Sequence, residues 1–499
     1  ESNGNGTPED DLKVHDELSV THHSVVIGGE EIAYTATAGT LVQKEEDGTP
    51  KASFFFTAYT RDSASDDEAK LVASRPITFA FNGGPGSSSV WLHLGLLGPR
   101  RVEMAGEEGH LPPPPYRLVD NAASLLDISD LVFIDPVSTG YSRATREEEA
   151  KEFHAFQKDI ESVGEFIRLY TSRFERWASP KFLIGESYGT TRAAGLTGHL
   201  QKRHGMYLNG VMLISTVLNF QSLRFHTGND LPYALFLPTY AATAWYHRRL
   251  DEELQADLRR TLDEVAAFAI ERYTPALMRG AALPEDERQE IAAQVARYTG
   301  LSEEYVDRAD LRLEIHRFTK ELMRDQRQVV GRLDARLTGF DRDAVGEKPE
   351  FDPSYATIQG PFSSMLNDYV RRELGFESDL PYEVLTGRVQ PWDYGEHQNQ
   401  YIDVAETLRQ AIAQNPHLKV FVANGYFDLA TPYFATEYTF NHMPLPRDLR
   451  QNISMSYYES GHMMYIHLPS LEQLKRDLAH FVTSALPDAS ALSETTGAQ

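Results

Sequence analysis

Ser187 sits in Gly185-Glu-Ser-Tyr-Gly189, a Gly-x-Ser-x-Gly pentapeptide that closes the apolar run 182–184 and is followed by small residues. A serine hydroxyl attacks a carbonyl only when a base takes its proton, and that base needs an acid to hold its tautomer and stabilise the imidazolium. The pentapeptide fits a strand that turns sharply into a helix, lifting the serine hydroxyl out of the sheet edge while the glycines leave room for strained backbone. On such a turn the acid and then the base follow the serine along the chain, on loops after later strands. The run 420–422 ends in a Gly425-bearing turn that delivers Asp428, and 453–458 reads as a further strand followed by Glu459-Ser-Gly-His462. Ser187, Asp428 and His462 are therefore the candidate nucleophile, acid and base. Of the 17 histidines, His467 and His480 also follow Asp428, but further on, in or near the closing helical segment. Asn82-Gly83-Gly84-Pro85-Gly86, after the apolar run 77–81, adds adjacent glycines whose backbone N–H groups can approach a ligand closely, as an oxyanion hole requires.

The elements that must position these residues are legible as short apolar runs bounded by turn signals. The runs 77–81, 131–134, 182–184, 211–214 and 420–422, with helical patterns between several of them, predict buried parallel strands. Phe156, Ile160, Val163 and Ile167 lie at helical spacing and predict a crossover helix over 153–174. Alternating residues on either side of Gly28-Gly29 predict an amino-terminal hairpin. From about Tyr240 the chain changes to long charged amphipathic segments, with apolar stripes at Leu254, Leu258, Leu262 and Val265 and at Leu311, Ile315, Phe318 and Leu322. The expected organisation is a flexible leader (1–12), a core in two parts (13–224 and 396–487), a mainly helical cap inserted between them (225–395), and a disordered tail (488–499).

Composition bounds the partners. With 499 residues, 41% of them hydrophobic, the chain can bury a large core. A net charge of -25 argues against nucleic-acid or anionic-membrane surfaces, which want clustered lysine and arginine, and favours a soluble protein. Zero cysteines excludes disulfides, thiolate metal sites and cysteine nucleophiles. The polar stretch Glu1 to Pro8, which opens on Glu rather than Met, sets the expectation of a secreted or periplasmic protein whose signal peptide has been removed. The expected partner is a peptide or small acyl substrate, with the protein a monomer or homodimer.

Several motifs together resemble one family. Asn82-Gly-Gly-Pro-Gly86 with Leu97-Gly-Pro99, Gly-Glu-Ser-Tyr-Gly around Ser187, Ile134-Asp-Pro-Val-Ser-Thr-Gly-Tyr-Ser142, Gly425 with Asp428, and Gly461-His462-Met463 are similar to motifs of the serine carboxypeptidases, in that family's order. The resemblance covers roughly 77–144, 178–220 and 416–482, and has the look of a bacterial-type member. It implies an α/β-hydrolase fold, a mostly parallel central sheet under a large helical cap, and removal of C-terminal residues from peptides without a metal or organic cofactor. It also implies that Ser187, His462 and Asp428 form the triad, that the N–H groups of Gly84 and Tyr188 hold the oxyanion, and that Asn82, Gly83 and Glu186 bind the substrate carboxylate. The chain departs from the family at Leu96, where a second carboxylate-binding Glu is expected. That leaves Arg100 and Arg101, nearby in sequence, either as substitutes or as a solvated pair. Tyr426 and Tyr465 stand where the family has Asp and Pro. An esterase, amidase or acyltransferase on the same fold is the alternative activity, and a non-catalytic binding protein is a third reading. The base is expected to limit activity in acid, at a pKa its surroundings draw below the free value.

Overall fold

The computed structural model describes residues 15–62, 75–397 and 399–487. The leader assigned to 1–12 and the tail assigned to 488–499 lie outside the described residues. Nine strands carry the architecture: β1 (Glu17–Ile27), β2 (Glu30–Lys44), β3 (Pro50–Arg61), β4 (Ile77–Phe81), β5 (Asp130–Ile134), β6 (Lys181–Ser187), β7 (Gly210–Thr216), β8 (Lys419–Gly425) and β9 (Ile453–Tyr458). They form one sheet in the order β1-β2-β3-β5-β4-β6-β7-β8-β9, with the short strand Arg143–Ala144 pairing against β3. Pairing is antiparallel from β1 to β5 and parallel from β5 to β9. The β1–β2 turn is made by Gly28 and Gly29, both at positive φ, the conformation a two-residue hairpin turn of this kind demands.

The parallel strands are apolar throughout because both faces are covered. Phe182, Ile184, Met212, Ile214, Phe421 and Ala423 point into one core, while Leu183, Val211, Leu213, Val420 and Val422 point into the other. Helix α1 (Phe156–Arg173) buries Ile160, Val163, Phe166 and Ile167 in the second core beside α2 (Tyr188–His204). Each such side chain withdrawn from water contributes roughly 1.5–3 kcal/mol, which is why the apolar spacing fixes which face each helix presents.

Helices α3 (Leu231–Tyr246), α4 (Leu258–Phe268) and α5 (Glu285–Thr299) share a separate apolar cluster, which also takes in Phe427, Leu429 and Tyr433 from the loop that carries Asp428. Both apolar stripes are interrupted. Asp257 accepts a hydrogen bond from Arg260 N and starts a new helix, so Leu254 and Leu258 fall in different helices although both are buried. Leu311 lies before the helix Ile315–Glu321, at φ 61°, and reaches the core from a turn. Helix α6 (Pro353–Arg372) sends Ile358, Phe362 and Leu366 into the first sheet core rather than among α3–α5. The chain then returns through α7 (Ala405–Gln414) to β8 and ends in α8 (Leu468–Ser484), which covers the sheet beside α6.

Candidate active site

Ser187 ends β6 and caps α2 at φ 60° and ψ -130°, a conformation disfavoured for a residue with a side chain. Its surroundings hold it there. A Cβ on Gly185 would lie 2.1 Å from Gly189 O, and one on Gly189 would lie 2.8 Å from Phe81 O, so the strand, the helix and the loop after β4 meet where only glycine fits. The same close approach explains Gly83, whose missing Cβ would come 2.4 Å from Tyr188 N. Tyr188 N opens α2 and has no acceptor within its own helix. Gly84 follows at φ 105° and lines the same cavity as Ser187.

His462 and Asp428 come together from the loops after β9 and β8. His462 Nδ1 stands 2.7 Å from Asp428 Oδ2. Asp428 is fully buried and accepts three more hydrogen bonds, from Ala430 N, Thr431 N and Thr431 Oγ1, which fix the carboxylate plane. The backbone of His462 is pinned on both sides: its N–H donates to Leu333 O at 2.6 Å, and its carbonyl accepts from Ser215 Oγ at 2.6 Å. Burial alone draws the imidazole down, but the charge and hydrogen bond of Asp428 outweigh it and Glu186 adds to them, so the pKa of His462 is raised above its usual value. This corrects the expectation of a lowered base, which followed from burial without the paired carboxylate.

Glu186 is buried beside the nucleophile. Its Oε1 accepts from Asn82 Nδ2 at 3.0 Å and its Oε2 from the Tyr465 hydroxyl at 2.6 Å. Asn82 is fixed in turn, because its Oδ1 accepts from Leu92 N. Burial pushes the Glu186 carboxyl up to about 7, against the opposing pull of His462, Tyr465 and Asn82. Asn82, Gly83, Gly84, Glu186, Ser187 and His462 all line one cavity of about 530 Å³, whose remaining wall includes Trp91, Tyr355, Ile358 and Met463. Asp428 lies behind His462, out of the cavity. The arrangement offers a serine hydroxyl on a strained turn, an imidazole oriented by a buried carboxylate, and a carboxyl able to hold a proton near neutrality.

A family model described as serine carboxypeptidase matches residues 35–489. The chain belongs to the serine carboxypeptidase family. It is 30% identical over 162 residues to the pheromone-processing carboxypeptidase KEX1 of Saccharomyces cerevisiae, a stretch that covers 30% of this chain and only 20% of that protein. Among solved structures, the prohormone-processing carboxypeptidase KEX1(delta)p of Saccharomyces cerevisiae is similar with a TM-score of 0.54 at 15% identity, covering 90% of this chain and 91% of the other. A proline iminopeptidase from Mycobacterium smegmatis gives a TM-score of 0.36 at 13% identity. The fold is that of the α/β-hydrolases, with a helical insertion over a mostly parallel sheet, and family and fold together make the chain a serine hydrolase.

Against the family pattern, the departure at Leu96 has a structural answer. Leu96 is wholly buried in the sheet core and does not line the cavity. Arg100 is engaged with Asp120 and Glu373, Arg101 donates to Val102 O, and neither lines the cavity. The partner of Glu186 is instead Tyr465, whose ring lies against Gly95 so closely that a Cβ there would be 2.4 Å from it. The signal available in sequence was the aromatic residue just after the base; the missing information was that its hydroxyl reaches across to Glu186. Tyr426, the other departure, packs on Tyr433 and Tyr457 and lies outside the cavity. The Asp135-Pro136 segment, one residue shorter than the family's, has a positioning role here: Asp135 accepts from Ser89 N, Ser89 Oγ and the Tyr382 hydroxyl, tying the helix after the Gly83-Gly84 loop to the segment that carries Leu385 into the cavity.

Proposed function

We propose that the protein is a serine carboxypeptidase in which Ser187 attacks the scissile carbonyl of a peptide's last bond. His462 Nε2 takes the hydroxyl proton and returns it to the departing amine, while Asp428 holds the imidazole and stabilises its cationic form. The N–H groups of Gly84 and Tyr188 receive the oxyanion as the carbonyl becomes tetrahedral. Water, activated by the same histidine, then resolves the acyl-enzyme and releases the shortened peptide. Selectivity for the chain end comes from Asn82, Gly83 and a protonated Glu186, which donates to the substrate's terminal carboxylate. The observation that carries this reading is the juxtaposition, in one cavity, of Ser187 and His462 with a buried Glu186 bracketed by Asn82 and Tyr465.

Loss of a Glu at position 96 favours an esterase, amidase or acyltransferase only if nothing takes its place, and Tyr465 supports the carboxypeptidase reading by supplying a partner to Glu186. A carboxyl group that works protonated suits a mildly acidic setting, and a secreted or periplasmic place of work is part of the proposal. The test is to assay the protein and Ser187→Ala on matched N-blocked dipeptides ending in a free carboxylate, an amide or an ester. The expected result is Ser187-dependent cleavage concentrated on the free acid, with a fall of about 10⁴-fold or more in kcat for the variant. Equal or faster cleavage of the amide or ester would assign the alternative activity, and turnover undiminished in Ser187→Ala would overturn both.

A further inference from the structure

Arg332 lines the cavity beside Ser187, His462 and Met463. Its backbone is held, with its N–H donating to Asp352 Oδ1 and its carbonyl accepting from Leu429 N. Among the described residues, no hydrogen bond or ion pair engages its guanidinium. That sets it apart from its neighbours in the insertion: Arg249, Arg312, Arg324 and Arg336 are each joined to a carboxylate. Asp352, an acid on the same cavity wall, is engaged at Oδ1 as the cap of α6, where Ser354 N and Ser354 Oγ donate to it. In a chain of net charge -25, a half-buried guanidinium without a carboxylate partner, in the same cavity as Ser187 and His462, leaves a positive charge that an anion arriving with the substrate can answer.

Its position distinguishes it from the carboxylate site. Glu186 is faced by Asn82, Tyr465, His462 and Asp428, whereas the charge of Arg332 is felt at His462 and, on the insertion side, at His316. The next residue, Leu333, holds the backbone N–H of His462, so the guanidinium flanks the base rather than the oxyanion loop. Resting on the carboxypeptidase reading, we propose that Arg332 binds a side-chain carboxylate next to the scissile bond, making the enzyme selective for peptides with Asp or Glu as the last or penultimate residue. The planar fork of the guanidinium accommodates a carboxylate through two parallel hydrogen bonds, and Gln, which matches Glu in shape but carries no charge, forfeits the charge-assisted part.

The experiment compares kcat/KM on N-blocked dipeptides that differ only by Glu against Gln, at the last position in one pair and the penultimate position in the other. The proteins compared are the unaltered enzyme, Arg332→Gln, Arg332→Lys and Arg332→Glu. The expected result is a Glu:Gln ratio of roughly 10 or more in at least one pair, brought close to 1 by Arg332→Gln and partly kept by Arg332→Lys. Arg332→Glu is expected to invert the Glu:Gln ratio to below 1. A ratio near 1 in the unaltered enzyme, or one unmoved by Arg332→Gln, overturns the proposal. So does a loss in Arg332→Gln that is the same for Glu and Gln substrates and vanishes on their C-terminal amides, which would assign the guanidinium to the terminal carboxylate. Thermal melting of each variant separates an unfolded protein from a changed preference. Failure of the underlying reading looks different, since the unaltered enzyme would then cleave amides as well as acids, or no dipeptide at all.

Discussion

At the scale of single residues, the proposed mechanism depends on two groups that must hold opposite protonation states. His462 has to be neutral to accept the serine proton, and its pKa is raised by Asp428. In the proposed mechanism Glu186 keeps its proton to donate to a carboxylate, and burial lifts it to about 7. Below the pKa of His462 the base is blocked, and above that of Glu186 its charge repels the substrate's carboxylate. Free-acid peptides should therefore give a bell-shaped dependence of kcat/KM on pH, and an ester without a carboxylate should keep only the acidic limb. Tyr465 tunes the alkaline limb. Its hydroxyl donates to Glu186 and so favours the ionised form; Tyr465→Phe should raise the Glu186 pKa and move that limb to higher pH. The lost hydrogen bond, worth about 1 kcal/mol, should cost roughly fivefold in kcat/KM on free acids near the optimum, with the ester much less affected. Pre-steady-state and steady-state pH profiles check both effects, and an unmoved limb would count against a positioning role for Tyr465. The meeting of Asp428 with His462, and of His462 with Ser187 in one cavity, was foreshadowed in the sequence because each residue follows a strand-like run. Tyr465 and Arg332 were not, because Tyr465 matters through the distant Glu186 carboxylate its hydroxyl reaches and Arg332 through the cavity that folding brings it to line. Proximity in sequence left Arg100 and Arg101 open as substitutes or as a solvated pair, and the fold turns them toward Asp120, Glu373 and the chain's own backbone.

At the scale of elements, helix α1 does more than cross over between strands. Asp159 on α1 pairs with Arg192 on α2 at 2.8 Å, both are buried, and Arg192 also donates to Asn82 O at 2.5 Å. The pair thus couples the crossover helix to the residue that holds Glu186. Asp159→Asn leaves the guanidinium buried without its counter-charge and should destabilise the fold by about 3 kcal/mol or more. Chemical denaturation measures this directly, and a change below about 1 kcal/mol would show that the pair is not structurally important. Strands with two covered faces and the regular helix α1 were plain in the apolar spacing, since burial on both sides leaves an uninterrupted run and burial on one side leaves a helical stripe. The stripes of the insertion misled about continuity, because spacing alone does not reveal that Asp257 starts a fresh helix or that Leu311 enters from a left-handed turn.

At the scale of the whole molecule, the helical region and the catalytic loops are fastened at definite points. Leu333 O holds His462 N, Phe427 O accepts from Ala335 N, and Arg336 reaches Asp334 and Ser460. Replacing 231–325 with a foreign helical segment should leave Ser187 open to labelling by a small serine-directed reagent, while a replacement extended through 331–337 should abolish labelling in a protein that still folds. Mass spectrometry of the labelled protein reads either outcome, and equal labelling in both chimeras would show that these contacts are dispensable. The seam between what is inherited and what is free to vary therefore does not coincide with the end of the helices. A lineage adapting to new peptides can exchange or lengthen the helices that precede Leu333, but its drift is constrained wherever the insertion lends a carbonyl to the base. Within 331–337 peptide preference and catalytic competence are tied together, because the same short stretch carries Arg332 into the cavity and lends the base its carbonyl.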